Sequence, residues 1–531
     1  MDLLKDNSLT MRYAKLNQLA YFVKKHGFTL TQLSFWLLIF VVTAAILVIS
    51  TRSIWVDEAT LLINVYNISW LQVFSPLPYY DQASPVLPLI IVKMIANIAG
   101  TNFPLFRVLL FSVNIAFAIP LIRWLIKEKS LLCACWFAMA FAATIYSIGY
   151  YTTEIKHYGF EVSALFLFLY WFLIYLENRM QALSNKLIWL PVLSIGMGFS
   201  TLLLAPAFLS FVLINSLLEH QFKFKPLQQV LQQHAKITLY LLAACIIFYM
   251  QMKQLTVFQI GNTWSQEIYG NKGFIADIAS LYNAFEHAFA PKMIILAVLS
   301  SLTALFLVPK STVFKLNLFF INLVVMVFVL KILGIYPVLS GRHVVWMLPI
   351  SMLITALLIP QLLQSKSKVQ QGFAWVIIGI LLLTFANNLL ILVKGINAEG
   401  TSNNALYAAL EKEPASDVLV FIAAQASLEI FQMKNKTNSA FTKHHFYGLS
   451  LTGRVSSMKV VADEQILSDW QFSQLPQTQS FLILISHDKQ LDIEPATKRI
   501  SALRTTLAKH KCDYAPIYNG KNTQLLRVQC S

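Results

Sequence analysis

The segment Trp55-Val-Asp57-Glu58 places two adjacent carboxylates just beyond a long apolar stretch. Partial desolvation next to a bilayer is unfavourable to charge, so a loop without a task has little reason to hold two acids there. Neighbouring residues on a helix point about 100° apart, which argues against a shared-proton dyad. One carboxylate with a raised pKa would suit a general base that takes a proton from a hydroxyl. The plainer reading is a solvated pair of loop residues.

Three further clusters have residue types suited to the same chemistry. Tyr150-Tyr-Thr-Thr-Glu154-Ile-Lys156-His157-Tyr158 stands at the end of an apolar segment. On a continuous helix, Glu154, His157, Tyr158 and Glu161 would share one face and Lys156 would point away from it. An interfacial tyrosine belt with a local Glu-Lys pair is the plainer reading of this segment. Tyr79-Tyr-Asp81-Gln82-Ala-Ser-Pro85 offers polar groups where the chain becomes apolar again, or simply a proline-defined turn. Tyr336-Pro-Val-Leu-Ser-Gly-Arg342-His343 precedes a late apolar segment, and a guanidinium supplies fixed, paired donors suited to phosphate. Arg107 and Lys331 also lie near the ends of apolar segments. Singly, each reads as a side chain snorkelling toward headgroups. Together they could neutralise a lipid phosphate. The combination suits a donor whose phosphate lies at the membrane interface. A carboxylate would deprotonate an acceptor hydroxyl, and a basic side chain or a metal would stabilise the departing phosphate.

The elements that must hold these groups are membrane spans. Of 531 residues, 57% are hydrophobic and only 12% charged, with a mean hydropathy of +0.61. Soluble domains carry roughly 25% charged residues. Apolar blocks approaching the ~20 residues needed for a crossing recur from Leu30 to Lys394. The candidate spans are 31–50, 104–124, 131–149, 157–177, 187–200, 202–218, 236–252, 292–309, 316–335, 343–363 and 373–394.

Segment 86–99 is apolar but short, carries Lys93, and is bounded by Pro85 and Gly100. Charge decides its placement. If it does not cross, the loops on the N-terminal side hold twelve basic residues between Arg123 and Lys368 against Glu128, Glu177 and Glu219. The opposite side then holds Asp57, Glu58, Asp81, Glu154, Glu267, Asp277 and Glu286. That is a positive-inside pattern. The expectation is therefore eleven transmembrane helices, with 11–13 in range, and 86–99 as a shallow or re-entrant helix. Residues 1–30 form a cytoplasmic segment, 31–395 the membrane domain with outer loop 51–103, and 396–531 an extracytoplasmic domain. The net charge of +16 resides mostly in the short loops, so it sets topology and gives no reason to expect nucleic acid as a partner.

The tail has a different pattern. Asp417–Ala423 and Ser480–Ser486 read as buried strands, with helices near 402–412 and 494–510. Asn519-Gly520 between strand-like runs signals a hairpin. A small α/β domain follows. It contains no phosphate-binding glycine loop, metal-spacing cluster or nucleophile motif, and His444-His445 reads as a loop pair. Cys512 and Cys530 could pair if the domain is exported. Cys133, Cys135 and Cys245 lie in apolar segments and read as small core residues.

Taken in order, these features resemble the GT-C glycosyltransferases, the class of protein O-mannosyltransferases and lipid A aminoarabinose transferases, and especially their bacterial mannosyltransferase-like branch. The resemblance spans about residues 30–350. It rests on Asp57-Glu58 after the first span, Asp81-Gln82-x-x-Pro85, the Gly100-to-Arg107 spacing, Glu154-x-Lys156-x-Tyr158, and Arg342 before a late span. No single motif is specific; the ordered set is stronger.

The resemblance implies a bacterial inner-membrane, multi-pass enzyme that transfers a hexosyl or pentosyl group. The donor would be a polyprenyl-phosphate sugar and the acceptor a glycan, lipid or protein hydroxyl, among membrane lipids and on the extracytoplasmic face. It implies catalytic roles for Asp57, Glu58 and Glu154, with Asp57 as the base. It implies substrate contacts from Asp81, Gln82, Arg107, Lys156, His157, Tyr158, Lys331, Arg342 and His343. A divalent metal ion remains open as a cofactor. Many relatives carry His or Lys before the proline of the second motif, where this chain has Ser84. That departure argues against carrying a metal or phosphate role to position 84. A transporter or flippase of lipid-linked glycans is the alternative, although the internal repeats expected of one are not evident. A noncatalytic membrane scaffold would leave the one-sided carboxylates unexplained.

Overall fold

In a computed structural model, described residues are 31–52, 54, 56–78, 82–177, 187–219, 224–260, 273–289, 291–309, 311–336, 341–399, 402–421, 445–449, 459–462, 480–486, 505, 507–519 and 523–530. Residues 1–30, Trp55, Asp81, His444 and most of 494–510 lie outside them.

The chain enters through α1 (Thr31–Ser50), whose Leu33, Trp36 and Phe40 stay exposed on the bundle surface. In a bilayer such an apolar outer face meets lipid. Next come α2 (Val56–Asn67), a 3-10 turn (Leu71–Phe74) and α3 (Val86–Ala99). Asp57 and Glu58 occupy the first turn of α2, where the helix dipole favours acids. Lys93 of α3 donates to the carbonyls of Val65 and Ile68 at 2.8 and 2.7 Å, and so caps the open end of α2. That explains a buried lysine in an otherwise apolar helix. With 14 residues, α3 is shorter than a crossing requires.

α4 (Phe103–Ala116) starts on an Asn102 side-chain cap to Leu105 N. A 44° bend leads into α5 (Ile119–Trp124), with Pro120 near its start. α6 (Leu131–Ala143) and α7 (Ile145–Thr153) meet at 78°. At that corner the Thr144 hydroxyl bonds back to the Ala140 and Phe141 carbonyls, a pattern that bends helices. α8 (Tyr158–Glu177) is central, with 89% of its apolar window buried. Its Phe168, Trp171, Phe172 and Tyr175 interlock with Phe208, Phe211 and Phe319.

There follow α9 (Trp189–Ile195), α10 (Leu204–Glu219), α11 (Phe224–Ile260), α12 (Phe274–Phe289), α13 (Pro291–Leu307) and α14 (Thr312–Ile332). A 3-10 turn at Gly341–His343 precedes α15 (Leu348–Leu363), the second central helix, whose span is 94% buried. α16 (Lys368–Glu399) closes the bundle.

Among the described residues, seven helices are long and apolar enough to cross a membrane, or nine if each bent pair counts once. Against the expected eleven, the described residues therefore give nine at most. Segment 187–200 contains only the seven residues of α9, because the chain turns at Gly196 and Gly198. A Cβ at Gly196 would meet the Phe248 ring at 2.5 Å, and one at Gly198 would meet Glu161 at 2.1 Å, so both turns need the bare backbone. Segment 292–309 yields an apolar helix below crossing length, Met293–Leu307.

The tail is the expected small α/β domain. After α17 (Ser402–Lys412) come β1 (Asp417–Phe421), β2 (His445–Leu449), β3 (Lys459–Ala462), β4 (Ser480–Ser486), β5 (Cys512–Asn519) and β6 (Thr523–Cys530). They form one sheet in the order β3-β2-β1-β4-β6-β5, parallel from β3 to β4 and antiparallel beyond. Cys512 and Cys530 face each other across β5 and β6 and form a disulfide.

Candidate functional site

α2 presents Asp57 and Glu58 to different partners, as adjacent helical positions must. The side chain of Asp57 is 23% exposed and its Oδ2 accepts from Arg342 Nη1 at 2.9 Å. Glu58 is fully buried. It accepts from Arg107 Nη2 at 2.6 Å, Arg52 Nη2 at 3.0 Å and the Ile155 backbone N–H at 3.0 Å. Arg107 also donates to the carbonyls of Ser50 and Arg52. Arg52 adds Thr153 Oγ1 at 3.0 Å and lies 3.9 Å over the Tyr150 ring. This cluster ties the end of α1 to α2, α4 and the end of α7. Burial alone would favour neutral Glu58, but Arg107, Arg52 and the Ile155 N–H outweigh it and hold the carboxyl below its ordinary range.

The expected continuous helix through 154–161 does not form. α7 stops at Thr153, Glu154 is extended (φ −70°, ψ 133°), and Lys156 N donates to the Glu154 carbonyl at 2.7 Å in a tight turn. Lys156 therefore does not point away from the cluster. It is buried, donates to Gln82 Oε1, and its charge interacts with Asp57, Arg342 and Glu154. Burial, joined by Arg342, lowers the Lys156 ammonium below its usual pKa. Both carboxyl oxygens of Glu154 are buried and have no hydrogen-bond partner among the described residues. Burial first, and the charge of Glu58 second, push its pKa up to about 8.

The remaining expected residues divide between this cluster and its surroundings. Tyr158 lies under Arg342, whose guanidinium carbon is 5.6 Å from the ring centre, and 6.4 Å from the His343 ring. His157 packs between Tyr158 and Phe199 and approaches Glu161 Oε1 to 4.0 Å. Burial, then Lys156, Arg342 and His343, hold the imidazole well below its usual pKa, hence neutral. Lys331 pairs with buried Asp277 of α12 at 3.5 Å.

Arg52 was missed in the sequence. Its only signal was a basic residue six positions before Glu58, indistinguishable from a headgroup contact. Among the described residues, no group of three or more His, Cys, Asp or Glu is placed to hold a metal ion. Asp57 and Glu58 each pair with guanidiniums.

No family model and no curated protein matches the sequence. Solved structures do. ArnT from Cupriavidus metallidurans bound to undecaprenyl phosphate matches with a TM-score of 0.51 at 12% identity, over 94% of this chain and 98% of that one. Its apo state gives 0.50 at 12% identity, over 93% and 97%. The chain has the fold of ArnT. The match runs through both the helical bundle and the tail, so an ArnT-like architecture is present over nearly the whole length. At this identity the ArnT likeness establishes architecture, and residue roles rest on the geometry above.

Proposed function

We propose that the protein is an integral membrane glycosyltransferase. It would move a hexosyl or pentosyl group from a polyprenyl-phosphate donor to an acceptor hydroxyl, with Asp57 as general base. The observation that carries this reading is the gathering of Asp57, Glu154, Lys156 and Arg342 into one electrostatic cluster at the helix ends of an ArnT-like bundle. The buried charges of the bundle proper fit transfer better than transport. Glu58, Arg107, Glu161 and Asp277 fall within the first five residues of α2, α4, α8 and α12, Lys331 lies in the last turn of α14, and Lys93, midway along the short α3, is taken up in capping α2. A transport path requires such groups at span centres.

Asp57 accepts the proton of the acceptor hydroxyl as its oxygen attacks the anomeric carbon. The bond from that carbon to the phosphate oxygen breaks, and the phosphate keeps the electron pair. Arg342 and Lys156 stabilise that charge in a partly water-excluded setting. Arg342 already neutralises Asp57 at rest, and its 22% exposure leaves it room to turn to an arriving phosphate. In this reading Glu58 positions rather than reacts. Its three partners hold α2, and therefore Asp57, against α4 and the 154–157 turn. Glu154 has oxygens unpaired among the described residues and available to sugar or acceptor hydroxyls. The resemblance and the positive-inside loops support an extracytoplasmic active site and tail, in a bacterial inner membrane.

The test is direct. Purified protein is incubated with a panel of polyprenyl-phosphate sugars, and released polyprenyl phosphate and glycosylated product are identified. Release that depends on Asp57 supports the reading. Near-normal turnover by Asp57→Asn in reconstituted membranes overturns the base assignment.

A further inference from the structure

Arg342 sits on a 3-10 turn, Gly341–His343, which runs through a second one, Val345–Met347, into α15; 3-10 turns have poorer hydrogen-bond geometry than an α-helix and need outside support. The turn is anchored by a chain of hydrogen bonds. Tyr336 Oη lies 2.7 Å from the His343 carbonyl oxygen and 2.7 Å from Ser200 Oγ. Trp346 Nε1 donates to the same His343 carbonyl at 3.0 Å and reaches Tyr336 Oη at 3.3 Å. Ser200 donates its backbone N–H to Glu161 Oε1 at 3.0 Å. Glu161 is buried on α8 and lies over Gly198, where any Cβ would displace it. The path thus runs from central α8, through the turn before α10 and the segment after α14, to the residue adjoining Arg342. Tyr336, Trp346, Ser200 and Glu161 are nearly or fully buried, so these bonds form where water does not compete.

We propose that Tyr336 and Ser200 are positioning residues that set Arg342 against Asp57 by clamping the His343 carbonyl to the bundle. The proposal rests on the reading of Asp57 and Arg342 as the reacting pair only for its effect on turnover. The effect on the pair itself can be read without any substrate.

The measurement is labelling of Asp57 by dicyclohexylcarbodiimide in the full-length protein in nanodiscs, quantified by mass spectrometry of the Asp57 peptide. The Arg342 guanidinium covers Asp57 Oδ2, so displacing it opens the carboxyl to the reagent and raises its labelling. Tyr336→Phe keeps the ring and removes the hydroxyl; about a five-fold rise is expected, the equivalent of one lost hydrogen bond. Ser200→Ala should act in the same direction. In an Arg342→Gln background, where labelling is already high, Tyr336→Phe should add nothing, because both changes act through one contact. A general loosening of the bundle would instead give additive effects and would raise labelling of Glu58 as well. Unchanged Asp57 labelling in a Tyr336→Phe protein that elutes as wild type, or additivity with Arg342→Gln, overturns the proposal. If labelling responds as expected while no polyprenyl-phosphate sugar is turned over by the wild type, the positioning role stands and the transferase reading falls.

Discussion

Arg342 Nη1 meets Asp57 Oδ2 at 2.9 Å across 285 positions of sequence. The contact joins the first helix after α1 to the turn before α15, so it closes the site from both ends of the membrane domain. Glu58, one residue along, faces the opposite way into a buried clamp. Two adjacent acids therefore take different partners.

Asp57→Asn should lower sugar transfer by about 100-fold or more, the usual worth of a positioned general base. Protein yield and elution should stay at wild-type levels, since the side chain is partly exposed and amide and acid are similar in shape. Turnover in reconstituted membranes with the active donor is the measurement.

Glu58→Ala should act on stability instead. It strands Arg52 and Arg107 in a dry site, which costs about 3–5 kcal/mol. The thermal midpoint in detergent should fall steeply. Asp57→Asn, measured alongside, should leave it nearly unchanged.

Glu154 should give stability a pH dependence of defined sign. Its folded pKa, about 8, lies above the ordinary carboxylate value. Between those values the folded protein holds a proton that the unfolded chain has released, so stability falls as pH rises and levels off above about 8. Glu154→Gln should flatten the melting midpoint over that window. A wild-type midpoint that rises with pH would contradict the assignment.

Lys93→Met keeps the apolar stem but removes two hydrogen bonds to the end of α2. It should cost about 1–3 kcal/mol, read as a lower thermal midpoint in detergent.

Reducing the tail or making Cys512→Ser opens a link of sequence separation 18. It should destabilise the sheet domain by about 3 kcal/mol. Limited proteolysis of the tail, with and without reductant, should show faster cleavage when the link is open.

Much of this was legible in the sequence. Hydropathy and loop charge marked a polytopic protein with an α/β tail, because the bilayer allows few solutions and each needs a long apolar run. The antiparallel pairing of β5 with β6 and the strand at Ser480–Ser486 followed from local pattern alone. The acidic pair was visible because charge beside an apolar segment is conspicuous. The count of crossings erred at 292–309, where the helix stops short of crossing length, and at 187–200, where the chain turns at Gly196 and Gly198. At those glycines Phe248 and Glu161 lie where a Cβ would stand, a packing demand from distant residues that hydropathy does not register.

The division of partners between Asp57 and Glu58 was decided only by tertiary structure. Sequence spacing says that two neighbours point apart, but not which one meets Arg342 and which meets Arg52 and Arg107. The position of Lys156 was likewise hidden. Local periodicity supports a helix through 154–161, whereas the folded chain breaks it at Glu154 and turns the lysine into the cluster. Local sequence controls whether a residue is apolar and how it tends to coil. Which charges share a low-dielectric site depends on contacts between segments far apart in the chain, and these exist only once the bundle has closed.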